Sequence, residues 1–270
     1  MMEIAGINIR IRLGGREVQR APRWWIDSER HAPLGRAGVT LPDPGGEIFR
    51  GGVLGAALEI RLGYRGRVPA TWSGTVTGIC PGRTRDQVEI VAVDGAVLLS
   101  RVRILQSWEN ETPEAIIAWS VRQAGLPVGR IDRPGVILPR FAASHVPVWQ
   151  VARQAAHSCQ GAFDLDMRRW ALWRGADGAV HWGDFDEPGA VPAIATGAGL
   201  IGHAPVTDAS AGLSRVESFL LPDLRHSRLF RLRDVRRGVD GSYRALRVRH
   251  EGEPDKARTH IWYGDEHGRF

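Results

Sequence analysis

The sequence predicts a mainly β protein with an α+β insertion: two small antiparallel β-barrels flanking a two-helix α/β block. Three observations carry this. Ile7, Ile9, Ile11 and Leu13 alternate with Asn8, Arg10 and Arg12, the period of two of a half-buried strand. The 33 glycines and 16 prolines supply the turns that short strands need. Between residues 112 and 161 the period becomes helical, with Thr112-Pro113 opening one helix and Gly161 closing another.

The elements follow in order. Gly14-Gly15 after the first strand offers the φ > 0 residues of a tight hairpin. Trp24-Trp25-Ile26 and Leu54 to Leu62 read as further strands, with Leu58, Ile60 and Leu62 on one face and Glu59 and Arg61 on the other. Residues 32–46 are rich in Pro and Gly without a period, which predicts a long surface loop. Thr71 to Ile79 is a strand whose glycines 74 and 78 fit a bend at a barrel corner. Pro81 to Thr84 turns it, and Gln87 to Val93 returns with Val88, Ile90 and Ala92 on one side.

After Leu105 the character changes. Thr112 is the N-cap, Pro113 takes the first helical position, and Ile116, Ile117, Val121 and Ala124 share a face up to the stop at Gly125 and Pro127. A second helix starts near Val146-Pro147, with Val148, Ala152, Ala155, Ala156 and Cys159 on one stripe. Phe163, Leu165 and Met167 then alternate as a strand, and Trp170 to Trp173 returns beside it. The acidic, breaker-rich stretch 184–192 reads as a junction. Beyond it come strands at Leu229 to Arg233, Tyr243 to Arg249 and Thr259 to Gly264, with turns at 238–241 and 252–255. The expected division is residues 1–105 for the first barrel, 106–185 for the insertion and 186–270 for the second barrel.

A chain of 270 residues buries roughly 75% of its unfolded surface and needs no covalent staples. Cys80 and Cys159 lie far apart; a disulfide and two reduced thiols both stay open, with the reduced, cytosolic state favoured. No signal peptide or membrane span is expected. The net charge is +6, carried almost wholly by Arg, since Lys256 is the only lysine. The Arg residues interleave with 30 acids, so a dedicated nucleic-acid site is not expected, and nucleic-acid binding is kept as a third reading.

Candidate chemistry is thin. His157 and Cys159 stand two apart, on different helix faces, and no further ligands sit at zinc-like spacing, so no metal or cofactor is expected. No Gly-x-Ser-x-Gly element occurs. Asp164 with Asp166, and Asp184 with Asp186 and Glu187, match the paired carboxylates of a cell-wall glycosidase, although a solvated face explains them equally well. Ten tryptophans are more telling. Most should be core, but Trp24-Trp25 puts one ring on each strand face and Trp119 lies off its helix stripe. Trp24, Trp25, Trp119, Trp262 and Tyr263 are therefore the candidate contact residues, with the loop at 32–46 beside them; no catalytic residue is assigned.

The order of elements resembles the hub proteins of phage tails, the late-control D family, and the hub portion of type VI secretion spikes. The aromatic-x-Gly-x-Val element of that family matches Trp72-Ser73-Gly74-Thr75-Val76. The strand ending in Asp94, Leu98-Leu99 after it, the helix from Thr112 to Gly125-Leu126, and the ending Tyr243 to His250 with Thr259 to Gly264 follow in register. The resemblance implies a non-enzymatic homotrimer whose two barrels per subunit form a pseudo-sixfold ring. Such a ring joins a hexameric tail tube to a trimeric central spike, with the tape-measure protein and baseplate wedge as further partners. It implies a place at the virion tail tip or baseplate, after assembly in the host cytoplasm. Longer relatives continue past the position of Phe270 into a needle, so a separate spike protein is expected here.

Overall fold

The structure, a computed structural model, describes residues 6–19, 21–206, 212–253 and 256–266. The chain divides into two compact units, one of 1–29, 35–95 and 188–264, the other of 30–34, 96–187 and 265–270. The first segment forms β1 (Ile7–Leu13), β2 (Arg16–Glu17), β3 (Arg23–Glu29), β4 (Arg36–Pro42), helix α1 (Glu47–Arg50), β5 (Ala57–Tyr64), β6 (Ala70–Pro81) and β7 (Gln87–Val93). The second unit adds α2 (Leu98–Arg101), β8 (Arg103–Glu111), α3 (Pro113–Gln123), β9 (Val128–Ile131), β10 (Leu138–Pro147), α4 (Val148–Phe163), β11 (Ala171–Arg174) and β12 (Val180–Gly183). The chain then returns to the first unit as β13 (Ala193–Ala195), β14 (Leu200–Ala204), β15 (Ser214–Phe219), β16 (Leu229–Asp234), β17 (Val239–Arg244), β18 (Arg247–Glu253) and β19 (Lys256–Tyr263). The protein is mainly β with a small helical insertion.

One 11-stranded sheet organises the first unit, in the order β14-β15-β19-β18-β3-β4-β7-β6-β5-β1-β2. All its pairings are antiparallel. It backs two separate apolar cores. Trp24, Ile26, Val39, Leu58, Ile60, Val76 and Ile90 fill the first, and Val216, Phe230, Leu232, Val248 and Ile261 fill the second. A smaller sheet, β13-β16-β17, completes the wall around the second core. The register from Arg247↔Glu29 to Gly252↔Trp24 joins β18 to β3, so strands almost the whole chain apart hold the two halves together.

Several elements differ from the sequence reading. The expected loop at 32–46 contains β4, paired on both sides by β3 and β7. Ala37, Val39 and Leu41 alternate inward, but flanking prolines and glycines mask the period. Gly38 is needed there for a packing reason: a Cβ would overlap the Trp25 indole. The strand expected at Phe163 to Met167 is absent. Helix α4 runs on to Phe163, and Asp164 caps it in the left-handed region at φ 55. The single strand expected from Tyr243 to Arg249 is broken at Ala245-Leu246, both buried, because the two residues turn the chain from one sheet into the other. The bend expected at Gly74 and Gly78 is present as a register shift between Val76 and Gly78. The expected turn at 252–255 falls partly outside the described residues.

In the second unit α3 and α4 pack one face each on the long β8–β10 ribbon, burying Ile116, Ile117, Val121, Val151, Ala155 and Cys159 with Ile104 and Phe141. Thr112 caps α3 by accepting from the Ala115 N–H. Arg30 is fully buried, donating to the carbonyls of Arg169 and Gly183 with its guanidinium over Trp173. Both cysteines are free, Cys80 exposed and Cys159 buried. Among the described residues no helix is long and apolar enough to cross a membrane.

Candidate assembly surface

The side of the large sheet turned away from the two cores is a continuous charged and aromatic face. Along β15, β19, β18, β3, β4 and β7 the outward positions of one strand lie beside those of the next. Arg247 of β18 makes a bidentate pair with Asp27 of β3, its Nε 2.9 Å from Oδ1. Arg249 reaches both Asp27, at 3.6 Å, and Glu251, at 2.8 Å. His260 of β19 bonds Glu251 at 3.1 Å and Arg215 of β15 at 3.2 Å. Two indoles are set into this ladder. Trp25 donates to Glu89 at 3.1 Å beneath the Arg249 guanidinium, and Trp262 lies under Arg247 at 4.7 Å and Arg215 at 5.8 Å. A polar hollow of about 400 Å³ opens here, lined by Arg23, Arg83, Glu89, Arg258 and His260 among others.

Ion pairs near the surface contribute about 0–1 kcal/mol each, and these pairs, part-buried, also lose hydration when they form. Stability alone is therefore a weak reason for a ladder spanning six strands. Arg and Trp side by side are instead the composition of contact surfaces, where planar, partly desolvated groups pair with a partner.

The sequence-derived contact residues separate by strand parity. Trp25 and Trp262 come together on this outer face, both half-buried. Their neighbours Trp24 and Tyr263 point inward, at 3% and 5% exposure, into the first and second cores. Trp119 belongs to the other unit, half-buried and edge-on to Trp108 at 5.5 Å.

The carboxylates singled out as glycosidase candidates are engaged locally. Asp164 is the C-cap of α4, Asp166 holds Arg168 at 2.6 Å, Asp184 faces Arg169 at 3.4 Å, and Glu187 accepts from the Ala176 N–H at 2.6 Å. Sequence reading missed a different cluster. His203 Nδ1 lies 2.7 Å from Asp234 and its Nε2 2.8 Å from the Tyr263 hydroxyl. Asp234 accepts, which puts a proton on Nδ1, and in the neutral ring Nε2 then accepts the tyrosine O–H. The order Asp-His-hydroxyl is that of a nucleophilic triad. Here all three groups are buried and both ring nitrogens are occupied, so the cluster ties β14, β16 and β19 together inside the second core. The His203 hydrogen bond, with Arg237 behind it, holds Asp234 below the usual carboxylate range. The partners lie 31 and 60 residues apart, so no local spacing could have revealed them. Among the described residues no group of three or more His, Cys, Asp and Glu side chains is placed to hold a metal ion.

No family model matches the chain, and no curated protein matches it in sequence. Solved structures do. A tail protein from Neisseria meningitidis superposes over 96% of this chain and 97% of its own, with a TM-score of 0.69 at 12% identity. The 43 kDa tail protein of prophage MuSo2 from Shewanella oneidensis gives the same score and identity over 97% of each chain. A type VI secretion system component from E. coli, itself similar to the T4 phage tail proteins gp27 and gp5, covers 96% of this chain and 78% of its own, with a TM-score of 0.61 at 12% identity. At such identities the likeness is one of fold, and it extends over the whole chain: this protein folds as those phage tail and type VI secretion proteins do.

Proposed function

We propose that the chain is a structural hub subunit of the late-control D type: a trimeric, non-enzymatic adaptor between a hexameric tail tube and a trimeric central spike. It acts at the tail tip or baseplate of a phage or related injection machine, after assembly in the host cytoplasm. The observation that carries this reading is the one sheet that backs two cores within a single unit. Two barrel-like halves per subunit, three subunits to a ring, would present six similar positions on one side and threefold symmetry on the other. A closed ring solves that mismatch by shape alone. In this reading 1–105 and 186–270 supply the two barrels and 106–185 is the insertion. Trp25 and Trp262 are contact residues, Trp24 and Tyr263 brace them from the cores, and Trp119 is a contact of the insertion. Tape-measure and wedge proteins are further partners.

Native mass spectrometry of the chain, alone and co-expressed with neighbouring tube and spike proteins, tests this. The expected species is a homotrimer, or three copies bound to three spike chains. A monomer that ignores both partners would overturn it.

A further inference from the structure

We propose that an extended, acidic segment of a partner protein docks between the free edge of β10 and helix α4. It would add to the β8–β10 ribbon as a third strand. The site lies wholly within the second unit, so it stands independently of the hub reading and of the oligomeric state.

The ribbon has two strands, so β10 has β8 on one side and an open edge on the other. In an antiparallel pair every second residue turns its N–H and C=O away from its partner. Among the described residues, Arg140 to Ser144 pair with β8 alone, and the groups turned away from it are free to bond another strand. Pro139 at one end and the register shift between Ser144 and Val146 at the other frame this run. Its five residues span about 17 Å, so a short segment suffices to cover it. Phe141 and Ala143 are buried in the helical core, which fixes the edge in place.

Helix α4 supplies the other wall. Its apolar stripe is buried in the core, which leaves Gln150, Arg153, Gln154, His157 and Ser158 as a second row at spacings of three and four. This row runs along the side of the helix next to β10. With Arg140, Phe141 and Ala142 it lines a groove of about 470 Å³. A strand edge facing a row of helix side chains across a groove suits binding by strand addition. Backbone hydrogen bonds then supply affinity, and the side chains that line the groove supply selectivity.

The charge of the groove selects the occupant. Its lining carries Arg140, Arg153 and His157 and no carboxylate. Arg153 lies over the Trp149 ring at 4.8 Å and, like His157, has no carboxylate partner among the described residues. Arg140 meets Glu109 only at 3.9 Å, with both side chains largely exposed, a contact that holds it weakly. Along the edge itself Ala142, Ala143 and Ser144 are small and uncharged, so nothing there repels an incoming strand. An acidic segment would give Arg140 and Arg153 the charge-assisted hydrogen bonds that their own chain does not supply. The free backbone edge favours a peptide over any other anion.

Fluorescence anisotropy tests this, with the whole chain titrated into labelled peptides of the acidic, strand-forming pattern Glu-Val-Glu-Thr-Glu-Val. Saturable binding is expected, at least about tenfold tighter than for the same peptides with Lys in place of Glu. Arg140→Glu combined with Arg153→Glu should weaken it by a similar factor, with the far-ultraviolet circular dichroism unchanged. Backbone pairing is read separately, from two versions of the peptide N-methylated at alternate residues in opposite phase. One phase blocks the N–H groups that face β10 and should abolish binding; the other should bind as the parent does. This comparison uses the wild-type chain, so it decides the matter even if the double variant fails to fold. No binding by any acidic peptide, equal effects of the two N-methyl phases, or a preference for oligothymidylate over every peptide would overturn the proposal. A wild-type monomer would overturn the hub reading and leave this site standing.

Discussion

At the scale of single residues the informative positions are those where a side chain has only one place to be. Gly38 lies directly beneath the Trp25 indole, so Gly38→Ala should force the ring off the face and cost about 1–3 kcal/mol, read as a lower urea midpoint. Cys159 is buried in the helical core, and burial, with Glu114 nearby, pushes its thiol up to about 11. A thiol reagent at pH 8 should therefore label Cys80 alone in the folded protein and both cysteines after denaturation. His250 is the pH-sensitive group. Its Nε2–H donates to the Leu224 carbonyl, and in the neutral ring its Nδ1 accepts from the Thr259 hydroxyl 3.0 Å away. Burial holds it down to about 4, against an ordinary value of 6.5. The unfolded chain thus takes up a proton between those values that the folded chain refuses. The His250 contribution to stability should be full above pH 6.5, fall as pH drops towards 4 and level off below, by roughly 3 kcal/mol in all. Urea midpoints across pH 7 to 4 should show this slope in the wild type and a shallower one in His250→Gln.

At the scale of elements, caps and edges decide where structure stops. Helix α4 ends on Asp164 at positive φ rather than at Gly161. Asp164→Gly should relieve that backbone cost and raise stability by about 0.5–1 kcal/mol, measured by denaturant titration. The same substitution removes a carboxylate that a glycosidase would need, so one variant reads both a stability gain and any cell-wall activity. Strand β4 teaches the complementary lesson. Its prolines and glycines lie at the ends or under an indole, and three inward apolar residues suffice to make it a central strand.

At the scale of the molecule, the chain's first and last segments are mutually dependent. β3 pairs with β18, and Leu220 and Ala257 complete the first core. A fragment of residues 1–105 should therefore lack a cooperative unfolding transition, and adding residues 188–270 in trans should restore one. Pairings across more than 200 residues also predict slow folding, because the loop must close before the contact forms. If the trimer is the folded species, the melting temperature should rise with protein concentration.

Much of this was legible in the sequence because it depends on neighbours in the chain. Period-two alternation fixed β1, β5 and β7, and the Thr112-Pro113 cap and apolar stripes fixed α3 and α4. The parity of Trp24 and Trp25 showed that one ring must face outward. What the sequence could not contain is which strand lies beside which. Strand pairing is made by backbone groups that every residue carries, so nothing local marks β18 as the partner of β3. That choice unites the two cores in one sheet and brings Trp25 and Trp262 onto one face, and the packing of β14, β16 and β19 assembles His203, Asp234 and Tyr263 inside the second core. The residues were set by the sequence; their company was decided by tertiary packing, because burial rewards the summed apolar surface of the whole unit rather than any segment of it.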